Sequence, residues 1–357
     1  MWRVVLSVCL LCCGSEGHIS CKNNAGRDVD WYILYKQPGT VQFIYSDSRN
    51  SDFKKTRKLI NNKDEALAKT LEPIFIDNQN VDSLPTMINH HQATQVQRLD
   101  VATAKVGLVM VDEDTVVWVL HSTPKFPKTR ESNSFFPSSG VKNAQTFICV
   151  TFHKKTHLRN IRAHIFDFAN TKFFSADIEN FRNIWTSDDE LNKKKKLYQD
   201  LRSMDGENFK GFFKKTLEKP EVGDLYVTIA NTLKTNLYAQ TCGGQDGRSG
   251  PYCPDGGQNV YNVESIKFST VPDVQWNRGS DHSKWCVSED NDWTCIADSN
   301  RAVSQFRRPG GALCIKNKGV NNAFTMLKGE YEDCHTGVGM KRKPPEIVVL
   351  PKKKQKT

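Results

Sequence analysis

The chain has 357 residues, 38% of them hydrophobic and 25% charged, with a formal net charge of +10. Residues 341–357, "KRKPPEIVVLPKKKQKT", carry seven Lys/Arg against one Glu and so hold +6 of that charge. This excludes a uniformly basic body: the rest of the chain is basic only in patches. No stretch is long and apolar enough to cross a bilayer as a helix, and no Asn-x-Ser/Thr sequon is present, so N-glycosylation is not expected.

Residues 1–17, "MWRVVLSVCLLCCGSEG", read as a secretory signal peptide: Arg3 opens it, Val4 to Cys13 is a short apolar run, and Ser15 and Gly17 suit cleavage. The mature protein is therefore expected to begin near His18 and to be soluble and secreted. Of eleven cysteines, eight then remain. An even number behind a signal peptide predicts disulfides in an oxidising compartment. Zinc is disfavoured because these eight include no Cys-x-x-Cys pair, and connectivity is not deducible from spacing. About 340 mature residues suit two typical domains or one large one.

Along the chain, alternation around Trp31, Ile33 and Tyr35 predicts a strand stopped by Pro38. Residues 45–100 are mostly polar, with a weak helix signal in "DEALAKTLEPIF". The clearest hairpin joins Val106–Val111 to Thr115–His121 through Asp112-Glu113-Asp114. "TFICVTFH" is a further strand. "SDDELNKKKKLYQDLRSM" opens with a capping box, Ser187 with Glu190, and predicts a helix whose lysine run forms a solvated face. "DLYVTIANTLKTNLYAQTC" is strongly apolar, and periodicity does not decide between helix and strand. "CGGQDGRSGPYCPDGGQ" lacks the ending of a phosphate loop and reads as a disulfide-closed surface loop. Strands and helices mix without regular alternation, which predicts a mixed α+β chain.

The segment "SDHSKWCVSEDNDWTC" sets His282 and Lys284 two positions apart. In an extended stretch such residues share a side, so imidazole and ammonium could meet one anion, as a phosphodiester requires. The bland alternative is a chance triplet. His121 ends the best-defined strand, just before Thr123-Pro124, where an active-site loop would begin; its bland reading is a capped, partly buried histidine. His153 and His157 lie beside Lys154 and Lys155 and resemble a solvated basic turn. The acidic clusters at 112–114, 187–190 and 289–292 lack calcium-loop spacing, and no set of convergent carboxylates for a metal-dependent nuclease is apparent.

"VDWYILYKQP", "VWVLHSTPKFP", "QTFICVTF", "DLYVTIANTLKTNL", "EDNDWTC" and above all "DHSKWCVS" resemble, in order, blocks of the deoxyribonuclease II family, from about residue 20 to 335. The resemblance implies a phospholipase D-like α/β fold of two pseudo-twofold halves, about 18–205 and 206–340, each a sheet flanked by helices and each giving a His-x-Lys motif. It implies double-stranded DNA as a non-specific substrate, cut at acid pH to 3′-phosphate and 5′-hydroxyl ends through a phosphohistidine. Lysines neutralise the phosphate, with no metal or other cofactor. The second motif is intact as His282 and Lys284, and the strand-end histidine is His121. The first motif reads Thr103-Ala104-Lys105, keeping the lysine but not the histidine, and Ser138 follows Pro137 where the family has another histidine. The expected site is thus His282, Lys284, His121 and Lys105, in an active enzyme or in an impaired relative acting as a secreted DNA- or polyanion-binding toxin. The resemblance also implies Cys21–Cys149; Cys295–Cys314 and Cys253–Cys334 are the next expected pairs, leaving Cys242 and Cys286. Family members are lysosomal or secreted, and the missing sequons favour secretion. The basic tail is expected to adhere to anionic cell surfaces, its alternative partner being a nuclear import receptor.

Overall fold

The structure, a computed structural model, describes residues 18–75, 86–89, 107–129, 131–166, 197–214, 220–244, 246–268, 274–308 and 310–335. The expected signal peptide, Thr103, Lys105 and the basic tail lie outside the described residues.

A short pair, β1 (Cys21–Lys22) and β2 (Asp28–Val29), precedes β3 (Trp31–Lys36), β4 (Gln42–Asp47) and β5 (Asn50–Leu59). After α1 (Ala66–Leu71) come β6 (Thr86–Asn89), β7 (Leu108–Val111), β8 (Thr115–His121), β9 (Gln145–His153) and α2 (Lys154–Phe166). These strands build a seven-stranded sheet in the order β5-β4-β3-β9-β8-β7-β6, antiparallel throughout. The predicted strand, hairpin and "TFICVTFH" strand all form. The polar stretch 45–59 forms β4 and β5, where only weak helix signals were read.

The second sheet comprises β10 (Tyr198–Arg202), β11 (Asn208–Phe213), β12 (Leu237–Gln240), β13 (Val260–Val263), β16 (Trp285–Ser288), β17 (Trp293–Ala297), β18 (Gly311–Lys316) and β19 (Tyr331–Glu332). Its order is β10-β11-β18-β17-β16-β12-β13-β19, with β12 and β13 parallel. A ribbon of β14 (Ser265–Lys267) and β15 (Gln275–Asn277) stands apart, and α3 (Leu225–Leu233) and α4 (Lys318–Leu327) complete the elements used below. The expected helix over 187–204 is corrected in its C-terminal part: Tyr198 to Arg202 pair with Phe212 to Asn208 as a strand. Pairing with β11 and burial of Leu201 override the local helix signal. The ambiguous 224–242 segment is a helix and then a strand. Asp224 caps α3 by accepting from Tyr226 N–H (2.9 Å), and Lys234 ends it in the left-handed conformation at φ 55°.

The central strands of both sheets bury both faces, and the side-chain period of two shows why. Trp31, Ile33 and Tyr35 of β3, Val116, Trp118 and Leu120 of β8, and Ile148, Val150 and Phe152 of β9 face a core shared with Trp285, Val287, Ile296, Leu313 and Ile315 of the second sheet. The intervening residues of the first sheet, such as Tyr32, Leu34, Val117 and Val119, pack outward against α1. Those of the second, such as Cys286, Cys295 and Cys314, pack against α3. A single core therefore holds the two sheets together, and burial on this scale is the main source of stability.

Among the described residues three disulfides close: Cys21–Cys149, Cys253–Cys334 and Cys295–Cys314. Cys242 and Cys286 are free thiols. The glycine-rich loop is consequently not closed on itself, because Cys253 reaches forward to Cys334 and not back to Cys242. Cys286, Cys295 and Cys314 stand directly abreast on β16, β17 and β18.

Candidate active site

The segment that leads into β16 meets the first sheet where β9 begins. Ala144 N–H donates to the Ser280 carbonyl (2.9 Å), and His282 N–H donates to the Ala144 carbonyl (3.0 Å). The residues alternate from there. Asp281, Ser283 and Trp285 turn toward the first sheet, each bonding to the Tyr35 hydroxyl: at 2.6 Å to Asp281 Oδ2, 2.8 Å to Ser283 Oγ and 3.1 Å from Trp285 Nε1. Trp276 Nε1 also donates to Asp281 Oδ2 (2.7 Å), and Ser283 N–H to its Oδ1 (2.7 Å). Alternation then gives His282 and Lys284 the opposite side in common, as the spacing predicts.

His282 is half-buried, whereas Lys284 is only 3% exposed. The Lys284 ammonium donates to the His282 carbonyl (2.9 Å), which locks the two residues together. Burial lowers its proton affinity, and the neighbouring Cys242, Asp281 and Asp298 oppose that fall. Asp298, just beyond β17, is pushed up to about 6 by burial, against the Gly311 N–H, the Ser299 hydroxyl, Lys214 and Lys284. Lys214 donates to the Phe306 carbonyl (2.7 Å) and is brought down to about 8 by burial, with Asp298 and Asp224 opposing. At the end of β3, Lys36 donates to the carbonyls of Gln37, Thr40 and Val141. Burial lowers it to about 8, opposed by Asp281. Buried lysines and carboxylates thus alternate behind the motif, so each charge has a partner of opposite sign nearby.

His121 ends β8 opposite Phe147, three residues along β9 from Ala144, so the two histidine-bearing segments reach the same end of the sheets. Its ring is 3% exposed, stacked on Phe147 (5.6 Å between centroids) and edge-on to Phe126 (4.9 Å). Beside it, Ser122 Oγ donates to Gln145 Oε1 (2.6 Å). β7 runs antiparallel to β8, so its first residue lies next to the His121 end. Gly107, immediately before β7, runs so close to β8 that a Cβ would come within 2.4 Å of the Val119 carbonyl oxygen. Lys105 itself lies outside the described residues. His157 is buried, not solvated as its basic surroundings predict: its Nε2 accepts from Arg202 N–H (3.3 Å) and its ring packs on Phe152. Among the described residues no three His, Cys, Asp or Glu side chains gather as metal ligands. Tyr35, Asp281, Asp298 and Lys214 were not singled out from sequence. Asp281 adjoins the motif and carried a local signal; Tyr35, 246 residues away, carried none.

A half-buried histidine whose carbonyl is held by a buried ammonium, on a disulfide-braced two-sheet α/β scaffold, offers groups of the kind that can bind an anionic ester. The chain matches the Deoxyribonuclease II family model over residues 20–334 and belongs to that family. It is similar to deoxyribonuclease-2-beta of Mus musculus, 30% identical over 348 residues that cover 88% of this chain and 93% of the relative. Plancitoxin-1 of Acanthaster planci is 29% identical over 350 residues, covering 90% and 94%. Deoxyribonuclease-2 of Caenorhabditis elegans is 27% identical over 360 residues, covering 86% and 92%.

Proposed function

We propose that the chain is a secreted endodeoxyribonuclease that needs no metal, works at acid pH and leaves 3′-phosphate and 5′-hydroxyl ends. The observation that carries this reading is the intact motif, Lys284 bonded to the His282 carbonyl, in a member of a nuclease family. In the nucleophilic role, a His282 ring nitrogen attacks phosphorus, the P–O5′ bond breaks, and water then hydrolyses the phosphohistidine. In the alternative role, His282 protonates the departing O5′. Lys284, with Lys105, neutralises the phosphate oxygens as charge gathers in the transition state. One imidazole must be neutral while its partner is protonated, which places the rate maximum on the acid side. Asp298 supports the same direction. As pH falls through about 6 its carboxylate is neutralised, and the charge of Lys284 is then less offset. The two sheets correspond in this reading to the two pseudo-twofold halves, with the break before β10 and not near residue 205, and the tail to an adhesive for polyanions. A lysosomal location is the alternative to secretion.

One observation favours a second reading. Thr103 replaces the first-motif histidine, threonine cannot take up a proton as imidazole does, and His121 is enclosed by Phe126 and Phe147. If His121 does not serve as acid–base partner, the chain is an impaired, DNA-binding toxin. Plasmid nicking in EDTA at about pH 5, with wild-type protein and His282→Ala, separates the two. Nicking that depends on His282 establishes the enzyme; DNA binding without nicking establishes the binder.

A further inference from the structure

Tyr35 lies wholly inside the shared core, on the opposite sheet from the motif, yet its hydroxyl touches three residues of the "DHSKW" stretch. A phenol has one proton to give and two lone pairs. The short contact to Asp281 Oδ2 (2.6 Å) takes the proton. Ser283 Oγ (2.8 Å) and Trp285 Nε1 (3.1 Å) must then donate to the lone pairs. The hydroxyl is fully used, and Tyr35, Asp281, Ser283 and Trp285 are all 0% exposed. These contacts fall at positions 281, 283 and 285, so they peg the inward face on both sides of His282 and of Lys284. Asp281 reinforces the peg: its Oδ1 accepts from Ser283 N–H across the histidine, and its Oδ2 is also held by Trp276 of the β14–β15 ribbon.

We propose that Tyr35 is the positioning residue of the His282–Lys284 pair: one hydroxyl from the first sheet sets the register and facing of the motif carried by the second. The inference rests on the reading of His282 and Lys284 as the reacting pair. Without that hydroxyl, Asp281 keeps Trp276, but Ser283 Oγ and Trp285 Nε1 lose a buried partner together. The stretch then has reason to twist toward other acceptors, carrying the imidazole with it. Displacements of about 1 Å at a reacting group lower turnover by roughly 100-fold, so a partial loss of this peg is expected to lower kcat by roughly tenfold or more.

The test is Tyr35→Phe, assayed by steady-state cleavage of a fluorogenic oligodeoxynucleotide at acid pH and by NMR of protein labelled with 13C-histidine. The expected result is the tenfold or larger fall in kcat with KM changed less than about twofold. The His282 ring resonance, assigned by its loss in His282→Ala, moves, while those of His18 and His335 hold. A lowered unfolding midpoint with kcat and the His282 resonance unchanged overturns the proposal and leaves Tyr35 a core residue only. If Tyr35→Phe does not fold, Trp276→Phe removes the other donor to Asp281 Oδ2. It is expected to give a smaller kcat loss with the same split, and an unchanged kcat overturns the proposal. Should the wild-type chain not turn over, the His282 resonance in the same variants decides alone. Turnover that survives His282→Ala overturns the reacting-pair reading as well; turnover lost there but kept in Tyr35→Phe overturns the positioning role alone.

Discussion

Asp298→Asn exchanges a buried carboxyl for a neutral amide of the same shape. Asp298 Oδ1 accepts from Gly311 N–H and Ser299 Oγ, both at 2.8 Å, and an amide oxygen can take over both bonds. The native state binds the carboxyl proton more tightly than the unfolded chain, because burial raises this acid from 3.8 to about 6. A native pKa above the unfolded one means that the stability linked to this group is fully present below about pH 4 and is lost as pH rises through about 6. Over the interval from about pH 4 to about pH 7, the linked loss is roughly 2–3 kcal/mol. Groups that do not interact with Asp298 cancel in the comparison, so the difference in stability between variant and wild type should shift in the variant's favour by roughly that amount as pH rises. Urea unfolding followed by tryptophan fluorescence, at several pH values with disulfides intact, reads the difference directly. Parallel pH profiles for the two proteins would refute the reasoning, since they would mean that Asp298 titrates alike in the folded and unfolded chain.

His282→Ala should lower acid cleavage by roughly 100-fold or more while DNA affinity stays within about twofold, whereas Lys284→Ala should weaken both; fluorescence anisotropy and nicking assays separate the effects. Thr103→His rebuilds the family's first motif beside Lys105 and should raise acid nuclease activity by roughly 100-fold, so equal activity of the two proteins would count against Thr103 as the vacated catalytic position. Replacing both Cys21 and Cys149 with serine removes a link between residues 128 apart and should lower stability by roughly 4 kcal/mol, read as an earlier denaturation midpoint. Deleting residues 341–357 should flatten the salt dependence of DNA binding, since fewer counterions are released per complex; an unchanged slope would remove the tail from the interface.

What could be read from the sequence follows where each residue's environment is decided. The β7–β8 hairpin and β9 announce themselves because both faces are apolar and β-branched or aromatic residues fill them. β5, "NSDFKKTRKL", and β10, "YQDLR", do not. Both are edge strands, where charged side chains and one unpaired rim are tolerated, and only the neighbour they pair with makes them strands. The 224–242 segment is apolar throughout because its helix and its strand are both buried, so hydrophobicity marked the core without marking the break at Lys234. At the site, His282 and Lys284 were legible through their spacing. Tyr35 and Asp298 were not: each owes its role to a residue on another strand, and a tyrosine in an apolar run or an aspartate after one has no distinguishing local pattern.

The three cysteines abreast on β16, β17 and β18 bear on how the protein survives denaturation. Cys295 has a sulfur neighbour on either side, and only one can be bonded. In the folded state the unused thiol of Cys286 is buried, and burial, with Asp224 nearby, pushes its pKa far above the usual thiol range. Exchange requires a thiolate, so the wrong partner is kept waiting by its own proton. Once the chain unfolds, the same thiol titrates near 8.5 or so and competes freely for Cys295. Unfolding is therefore retraceable in acid and self-scrambling in alkali. The pH of the surroundings decides whether the molecule can find its way back.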